Sequence, residues 1–340
     1  MPPDLPPQVA MLQFLGGIRV ARSIYVAAEL GIADLLADGA KSVEELAQAT
    51  DTHGPSLYRV LRSLAAFGIF AEDEAGRFTL TATAEFLQTH FPDSVRASVR
   101  LFGKDWHWQV WGNLYESVET GESAFHQLHG MEFFDYCEQN PEFTKVSGES
   151  KTSISARASA SLLANYDFSS MSKVVDIAVM GGYGNTLVSL LTANPTVRGV
   201  LFDIQPVIAE AQPTIEAAGL SDRCELIAGH CLNSVPSGGD AYILMFVVHN
   251  WDDERAIKIL KNCHTAMAEN GRLVIVEMIM PKGNEPFVGK LIDLESLLIT
   301  PGGYERTEEQ YRLLLEAAGF KVVQTIPTQT ANSIIEAVRA

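Results

Sequence analysis

The sequence predicts an α/β protein, a doubly wound sheet with helices on both faces, behind a smaller and mainly helical winged-helix domain. Three observations carry that expectation. From Lys173 onward, short apolar runs alternate with amphipathic helical segments, the pattern of parallel strands joined by crossover helices. Inside that half, Val174-Val-Asp-Ile-Ala-Val-Met-Gly-Gly-Tyr-Gly184 reads as a strand ending near Asp176 and a glycine-bearing loop, with a helix from Asn185 and a second strand ending in Asp203. Ahead of it, two helical segments and a pair of short strands follow one another between Ser42 and Leu80. The expected boundaries are residues 1–100 for the first domain, 101–165 for a helical linker contributing to a substrate pocket, and 166–340 for the α/β domain.

Composition bounds the function. The chain has 340 residues, 47% of them apolar, enough for a large core. No uninterrupted run of about 18 apolar residues exists, and no charged-then-apolar leader opens the chain. The expectation is a soluble, cytoplasmic protein. Cys137, Cys224, Cys231 and Cys263 show no paired metal-ligand spacing, so reduced thiols and no metal are expected. A formal net charge of −17 disfavours nucleic acid and anionic membrane as partners, because both are polyanions.

In the first domain, the proline-rich start, Met1 to Pro7, is expected to fray. Leu12, Leu15, Ile18, Val20, Ile24, Ala27 and Leu30 then repeat at helical spacing on more than one face. Two apolar faces fit either a dimer interface or burial within the helix's own domain. Ser42-Val-Glu-Glu45 is a capping box opening a short helix, and Pro55 to Phe67 forms a second with Leu57, Val60, Leu61, Leu64 and Phe67 inward. Ile69–Ala71 and Arg77–Leu80 form the wing around Ala75-Gly76. Arg59, Arg62 and Arg77 could face DNA, but Asp51, Glu72, Asp73, Glu74 and Glu85 oppose them; a dimerisation role fits better.

The linker is rich in aromatic residues. Trp106, Trp108 and Trp111 precede Phe125, Phe133, Phe134, Tyr136 and Phe143. Most such residues form core. Trp106, Trp108 and Phe143, with Asn250 and Trp251 further on, are the candidates to line a pocket for a flat, apolar substrate.

In the α/β domain, strands are expected at Lys173–Ile177, Val200–Phe202, Cys224–Ala228, Ala241–Phe246, Leu273–Met278 and Phe320–Pro327, with Ser333–Val338 returning as an edge strand. Helices are expected at Asn185–Ala193, Ala209–Ala218, Asp253–Met267, Lys290–Ile299 and Glu308–Ala318. Ligands of such sheets bind at the carboxyl ends of the strands. There the glycine loop and Asp203 have the geometry for a nucleoside, with the acid on the ribose hydroxyls. Asp176, Gly181, Gly182, Gly184, His230, Cys231 and Met245 complete the candidate cofactor set. His249 follows the fourth strand, Glu277 ends the fifth and Glu305 lies in the loop before the last helix. A histidine held by carboxylates has its tautomer fixed and its basicity raised, which suits removal of a hydroxyl proton.

These motifs carry a resemblance over nearly the whole chain. Ala21-Arg-Ser-Ile-Tyr-Val-Ala-Ala-Glu-Leu-Gly-Ile-Ala-Asp-Leu35, His249-Asn-Trp-Asp-Asp253, Val274-Ile-Val-Glu277 and Glu305-Arg-Thr307 resemble the winged-helix, S-adenosylmethionine-dependent O-methyltransferases. That family includes plant caffeate-type enzymes and bacterial antibiotic and phenazine tailoring enzymes. The resemblance implies a Rossmann-like methyltransferase domain, an intertwined homodimer, His249 as catalytic base between Glu277 and Glu305, Asp203 on the ribose, and the glycines on S-adenosylmethionine. It further implies a small aromatic or polyketide-like substrate methylated on a hydroxyl.

The chain departs from the family pattern around the cofactor. Ala178-Val-Met180 stands where a glycine is usual, lengthening the loop. His230-Cys231 replaces an acid and its neighbour, and Met245 replaces a polar residue. Ser147 and Lys151 alter a helix motif, and Asn250 follows the histidine in place of aspartate. The departures leave a second reading: an enzyme on the same scaffold that no longer transfers methyl and instead cyclises, rearranges, decarboxylates or hydroxylates. A non-catalytic regulator is opposed by the retained histidine and acids.

Overall fold

The structure, a computed structural model, describes residues 6–181 and 183–340, without the side chains of Val146, Glu149 and Ser153. Gly182, one of the expected loop glycines, and residues 1–5 of the proline-rich start lie outside the described residues. The chain forms two compact units, residues 1–108 and 109–340.

In the first unit a helix spans Pro7–Glu29. Its first half exposes Met11, Leu12, Phe14, Leu15 and Ile18, while Ala27 and Ala28 near its end are buried with Ile32 and Leu36. By length and mean hydropathy (1.2) this helix is apolar enough to cross a membrane. The next helices, Val43–Thr50 and Gly54–Ala66, bring Leu46, Leu57, Leu61 and Leu64 inward, with Val60 partly buried; Phe67, expected inward, is exposed because the helix ends one residue before it. The Ser42 and Glu45 capping box is present, so the helix start written in the sequence is the one observed. The wing comprises β1 (Lys41–Ser42), β2 (Phe70–Glu72) and β3 (Arg77–Leu80) in the antiparallel order β1-β3-β2. Phe70 and Phe78 are buried, each worth about 1.5–3 kcal/mol on leaving water, and they close the core over the two helices.

The second unit holds a seven-stranded sheet built from β4 (Lys173–Ile177), β5 (Arg198–Asp203), β6 (Cys224–Ala228), β7 (Ala241–Met245), β8 (Arg272–Met278), β9 (Phe320–Pro327) and β10 (Asn332–Arg339). The order is β6-β5-β4-β7-β8-β10-β9; β4 to β8 run parallel, and β10 is antiparallel to both its neighbours. Buried runs such as Ala241–Leu244 and Leu273–Val276 explain this topology, since parallel strands covered by helices on both faces carry apolar residues throughout. Leu187, Leu190 and Leu191 of the helix Asn185–Ala193 and Leu162 of the helix Pro141–Asn165 pack into that core.

One expected strand is misplaced. Residues 332–339 do not form an edge; they insert between β8 and β9, and β9 becomes the edge. Buried Glu336 of that strand is fully occupied. It accepts from Tyr166 Oη at 2.9 Å and Gln324 Nε2 at 2.6 Å and pairs with Arg272. A carboxylate satisfied on three sides is tolerated inside a sheet. The strand order reverses at β4, between β5 and β7, which opens the binding crevice above the carboxyl ends of β4 and β7.

Candidate active site

Four chain segments bring the polar residues to that crevice. His249 lies on a one-turn helix, Val248–Asn250, just after β7. The turn is reached through Phe246, which takes a left-handed φ of 57°, a conformation that non-glycine residues adopt only when their surroundings impose it. Glu277 sits near the end of β8 with no exposed surface, and Glu305 comes in on the loop before the helix Glu308–Ala317. His249 Nδ1 is 2.9 Å from Glu277 Oε2 and 3.3 Å from Glu305 Oε1. Neither oxygen lies along the ring N–H, so these are ion-pair contacts and not straight hydrogen bonds. Glu277 Oε1 faces the other way, accepting the backbone N–H of Val248 at 2.8 Å and of His249 at 3.3 Å.

The electrostatics follow from that packing. Burial pulls the His249 imidazole down, but the Glu277 charge and contact, reinforced by Glu305, outweigh it and hold the ring at about 10. Burial pushes the Glu305 carboxyl up against the opposing pull of His249. Below the acids lies Tyr311, whose buried hydroxyl finds no hydrogen-bond partner among the described residues. Burial and the charges of Glu277 and Glu305 push its phenol well above the usual value. With both carboxylates on Nδ1, the other ring nitrogen, Nε2, is the one available to a ligand. The donor atoms of His249, Glu277 and Glu305 all lie within 4.8 Å of one another, a set that could also coordinate a divalent cation.

The cofactor side is built from the ends of β4, β5 and β6. Asp203 ends β5, and its carboxylate accepts from the backbone N–H groups of Met180 at 3.1 Å, Gly181 at 3.0 Å and Ile204 at 2.7 Å. Met180 and Tyr183 both take left-handed φ, at 51° and 49°, and Gly184 does so at 78°. Lys151 Nζ donates to Val179 O at 3.1 Å, and Tyr183 Oη to Lys145 O at 2.7 Å, so the loop is tied to the helix Pro141–Asn165. Burial raises Asp203 to about 6, against the pull of those backbone N–H groups and of Lys151. Asp176 rises to about 7 for the same reason, with the Asp203 charge adding to it.

Phe134, Val179, Met180, Asp203, His230 and Trp251 are among the residues lining a cavity of about 20 Å³ here, room for roughly one water. The donor set suits a nucleoside: a buried acid at the end of the second sheet strand, with backbone N–H groups beside it. The loop as described does not leave space for one, because Met180 and Gly181 hold the carboxylate a ribose would use. The lengthened segment Ala178–Met180 is the physical reason.

The other expected site residues divide. Trp251 is buried, its ring lies tilted 4.8 Å from that of Phe134 and 6.0 Å from that of His230, and it belongs to the cavity wall, as does buried Cys231. Met245 sits at the end of β7 against the sheet core, its sulfur 3.8 Å from Ser159 Oγ. Phe143 packs edge-on against Tyr136 and Phe133 in an aromatic cluster. Asn250 is buried, and its amide donates to Phe246 O at 2.8 Å and Val247 O at 3.2 Å, bracing the turn. Trp106 and Trp108 belong to the first unit, where the Arg22 guanidinium lies 5.0 Å from the Trp108 ring. Sequence reasoning gave no role to Phe134, Asp293, Arg306 or Tyr311. Of these, only Arg306 carried a signal, a cation next to Glu305 in a short polar motif.

The comparisons with known proteins agree with this geometry. An O-methyltransferase domain model matches residues 111–321, and an O-methyltransferase dimerisation domain model matches residues 12–90. The chain is 41% identical to the phenazine O-methyltransferase PhzM of Lysobacter antibioticus, over 96% of this chain and 95% of that protein. The crystal structure of LaPhzM superposes with a TM-score of 0.93 at 40% identity, covering 99% of this chain and all of that one. CalO1, a methyltransferase in calicheamicin biosynthesis solved in its SAH-bound form, superposes with a TM-score of 0.83 at 29% identity, over 99% and 100% of the two chains. The two domain matches and the full-length relative thus show that the chain belongs to the winged-helix, S-adenosylmethionine-dependent O-methyltransferases.

Proposed function

We propose that this O-methyltransferase moves a methyl group from S-adenosylmethionine to a hydroxyl of a small aromatic or polyketide-like metabolite, with His249 as general base. The observation that carries the reading is the contact of one imidazole nitrogen with two buried carboxylates at the carboxyl edge of the sheet. Kinship with PhzM, whose name specifies a phenazine, supports a flat aromatic acceptor, and the Phe134 and Trp251 rings offer an aromatic wall. The same kinship, over nearly the whole length of both chains, weighs against a scaffold that has given up methyl transfer.

When bound, S-adenosylmethionine supplies an electrophilic methyl on a sulfonium. The residues of the chain supply the rest. Nε2 of His249 takes the hydroxyl proton of the acceptor, and Glu277 and Glu305 stabilise the imidazolium that forms. A ring titrating at about 10 is matched to a phenol, whose own value is about 10, so the proton crosses at little cost. Asp203 would hold the ribose hydroxyls in exchange for its contacts with the N–H groups of Met180 and Gly181, and Gly181 and Gly184 would let the backbone approach the cofactor. Asp176, His230, Cys231 and Met245 would line the same cleft. Holding donor and acceptor in line within the closed cleft provides the remaining acceleration.

This base implies a defined pH response. At neutral pH the free ring is protonated, so the active basic form grows about tenfold per pH unit below its midpoint. The rate kcat/KM should therefore climb with pH towards about 10, well beyond the 6.5 of an ordinary histidine. The groups around the ring are Glu277 and Glu305, with Tyr311, Arg306 and Asp293 behind them. Glu277→Gln removes the largest raising influence, so its profile should move to lower pH; an unmoved profile would exclude His249 as the titrating base.

Calorimetry with S-adenosylmethionine and S-adenosylhomocysteine tests the reading as a whole. Micromolar binding and turnover, both unchanged by EDTA, are expected, since a proton transfer to imidazole needs no metal. No binding at millimolar concentration would overturn the reading in favour of a repurposed scaffold, and loss of turnover with EDTA would make His249, Glu277 and Glu305 metal ligands.

The exposed apolar face of the helix Pro7–Glu29 falls largely within the dimerisation-domain match. In this reading a second copy of the chain covers it, in place of a membrane, and the acidic surface takes no nucleic acid.

A further inference from the structure

We propose that Arg306 is a positioning residue that locks the His249 turn in register with the two carboxylates. The argument begins with an expensive choice. Arg306 has no exposed surface, and a buried guanidinium is tolerated only when nearly all of its donors are met. Its donors are divided between the base turn, the first residue of the helix Asp253–Ala266 that follows it, and Tyr304. Nη1 reaches Val248 O at 3.1 Å and Tyr304 O at 3.4 Å, and Nη2 reaches Trp251 O at 2.8 Å. Nη2 and Nε also meet Asp253 Oδ1, at 2.7 and 3.1 Å, and the Tyr304 ring covers the guanidinium at 4.0 Å.

The turn is therefore gripped from two sides by opposite charges. Glu277 takes its N–H groups, at Val248 and His249, and Arg306 takes the carbonyls of Val248 and Trp251. Arg306 follows Glu305 directly, so one segment delivers an acid to the ring and a cation to the carbonyls of the turn. That segment lies hard against the turn. A Cβ on Gly303 would come 2.3 Å from His249 O and 2.5 Å from the Asn250 carbonyl carbon. Glu305 itself is steadied by its backbone N–H, which donates to Asp293 Oδ1 at 2.7 Å. The distance from His249 to Glu305 is thus set by how Arg306 seats the turn.

The proposal rests on His249 being the base, and its test separates the two. Arg306→Lys keeps the charge but loses the planar fork that spans Val248, Trp251 and Asp253. Three quantities are read: the titration of the His249 ring by NMR, kcat with the acceptor, and the affinity for S-adenosylhomocysteine by calorimetry. The ring midpoint should fall by about one unit or more towards the ordinary histidine value, and kcat by about ten- to a hundredfold, with cofactor affinity held within about twofold. An unchanged ring titration and kcat would overturn the proposal while leaving His249 as base. Equal losses in kcat and cofactor affinity would also overturn it, by making Arg306 a general brace of the domain. Should the lysine variant not fold, Asp253→Asn decides by the same readouts, because that carboxylate anchors the guanidinium from a side chain that is 59% exposed.

Discussion

Replacing His249 by alanine is expected to slow methyl transfer by about two to four orders of magnitude, the range of a positioned general base, while leaving the fold and cofactor affinity intact. The ring lies at the rim, its side chain 16% exposed, so its removal opens little core. It does strand Glu277 and Glu305 without the cation between them. Glu277 keeps two backbone N–H partners, whereas neither carboxylate oxygen of Glu305 has a hydrogen-bond partner among the described residues. Glu305 is therefore the group that will take up a proton in the variant. The measurement is single-turnover methylation at several pH values beside S-adenosylhomocysteine calorimetry. A steep pH dependence above neutrality should vanish with the ring, and full activity would remove the general-base role.

Asp203→Asn is expected to weaken S-adenosylhomocysteine binding by about ten- to a hundredfold, the worth of about 1.5–3 kcal/mol for hydrogen bonds to a charged acceptor. The same carboxylate now holds the backbone of Met180 and Gly181, so the variant also frees the loop. Its association rate should rise even as its equilibrium affinity falls, because less has to be released before the ligand enters. In the parent enzyme binding should weaken as pH drops through about 6, where buried Asp203 takes a proton. Stopped-flow binding at pH 5 and pH 8 checks both; affinity indifferent to Asp203 would mean that the ribose is held elsewhere.

Much of the α/β unit was legible because its signals were local. The runs Lys173–Ile177 and Cys224–Ala228 are strands over those very residues, and the helix Asn185–Ala193 has the bounds expected of it. His249, Glu277 and Glu305 could be picked out as polar residues at strand ends, and they do meet. What the sequence hid depends on contacts far apart in the chain. Glu336 reads as a surface residue until Tyr166, Arg272 and Gln324 surround it. The conformation of the loop was equally out of reach: nothing in Ala178-Val-Met180 says that the backbone will bend onto Asp203.

The insertion of β10 between β8 and β9 has a consequence for how the enzyme matures. Ser333 lies opposite Glu277 across the ladder, so the strand bearing that acid gains its outer neighbour only from a segment made much later in the chain. Pairing so distant in sequence is slow, because a long loop must close before any contact rewards it. The parallel strands β4 to β8 can assemble as they emerge from the ribosome, but Glu277 is left at an open sheet edge until β10 arrives. The cleft thus acquires the carboxylate beside His249 in its final setting only after β10 has been made, and a nascent chain can form the parallel sheet before that setting is complete.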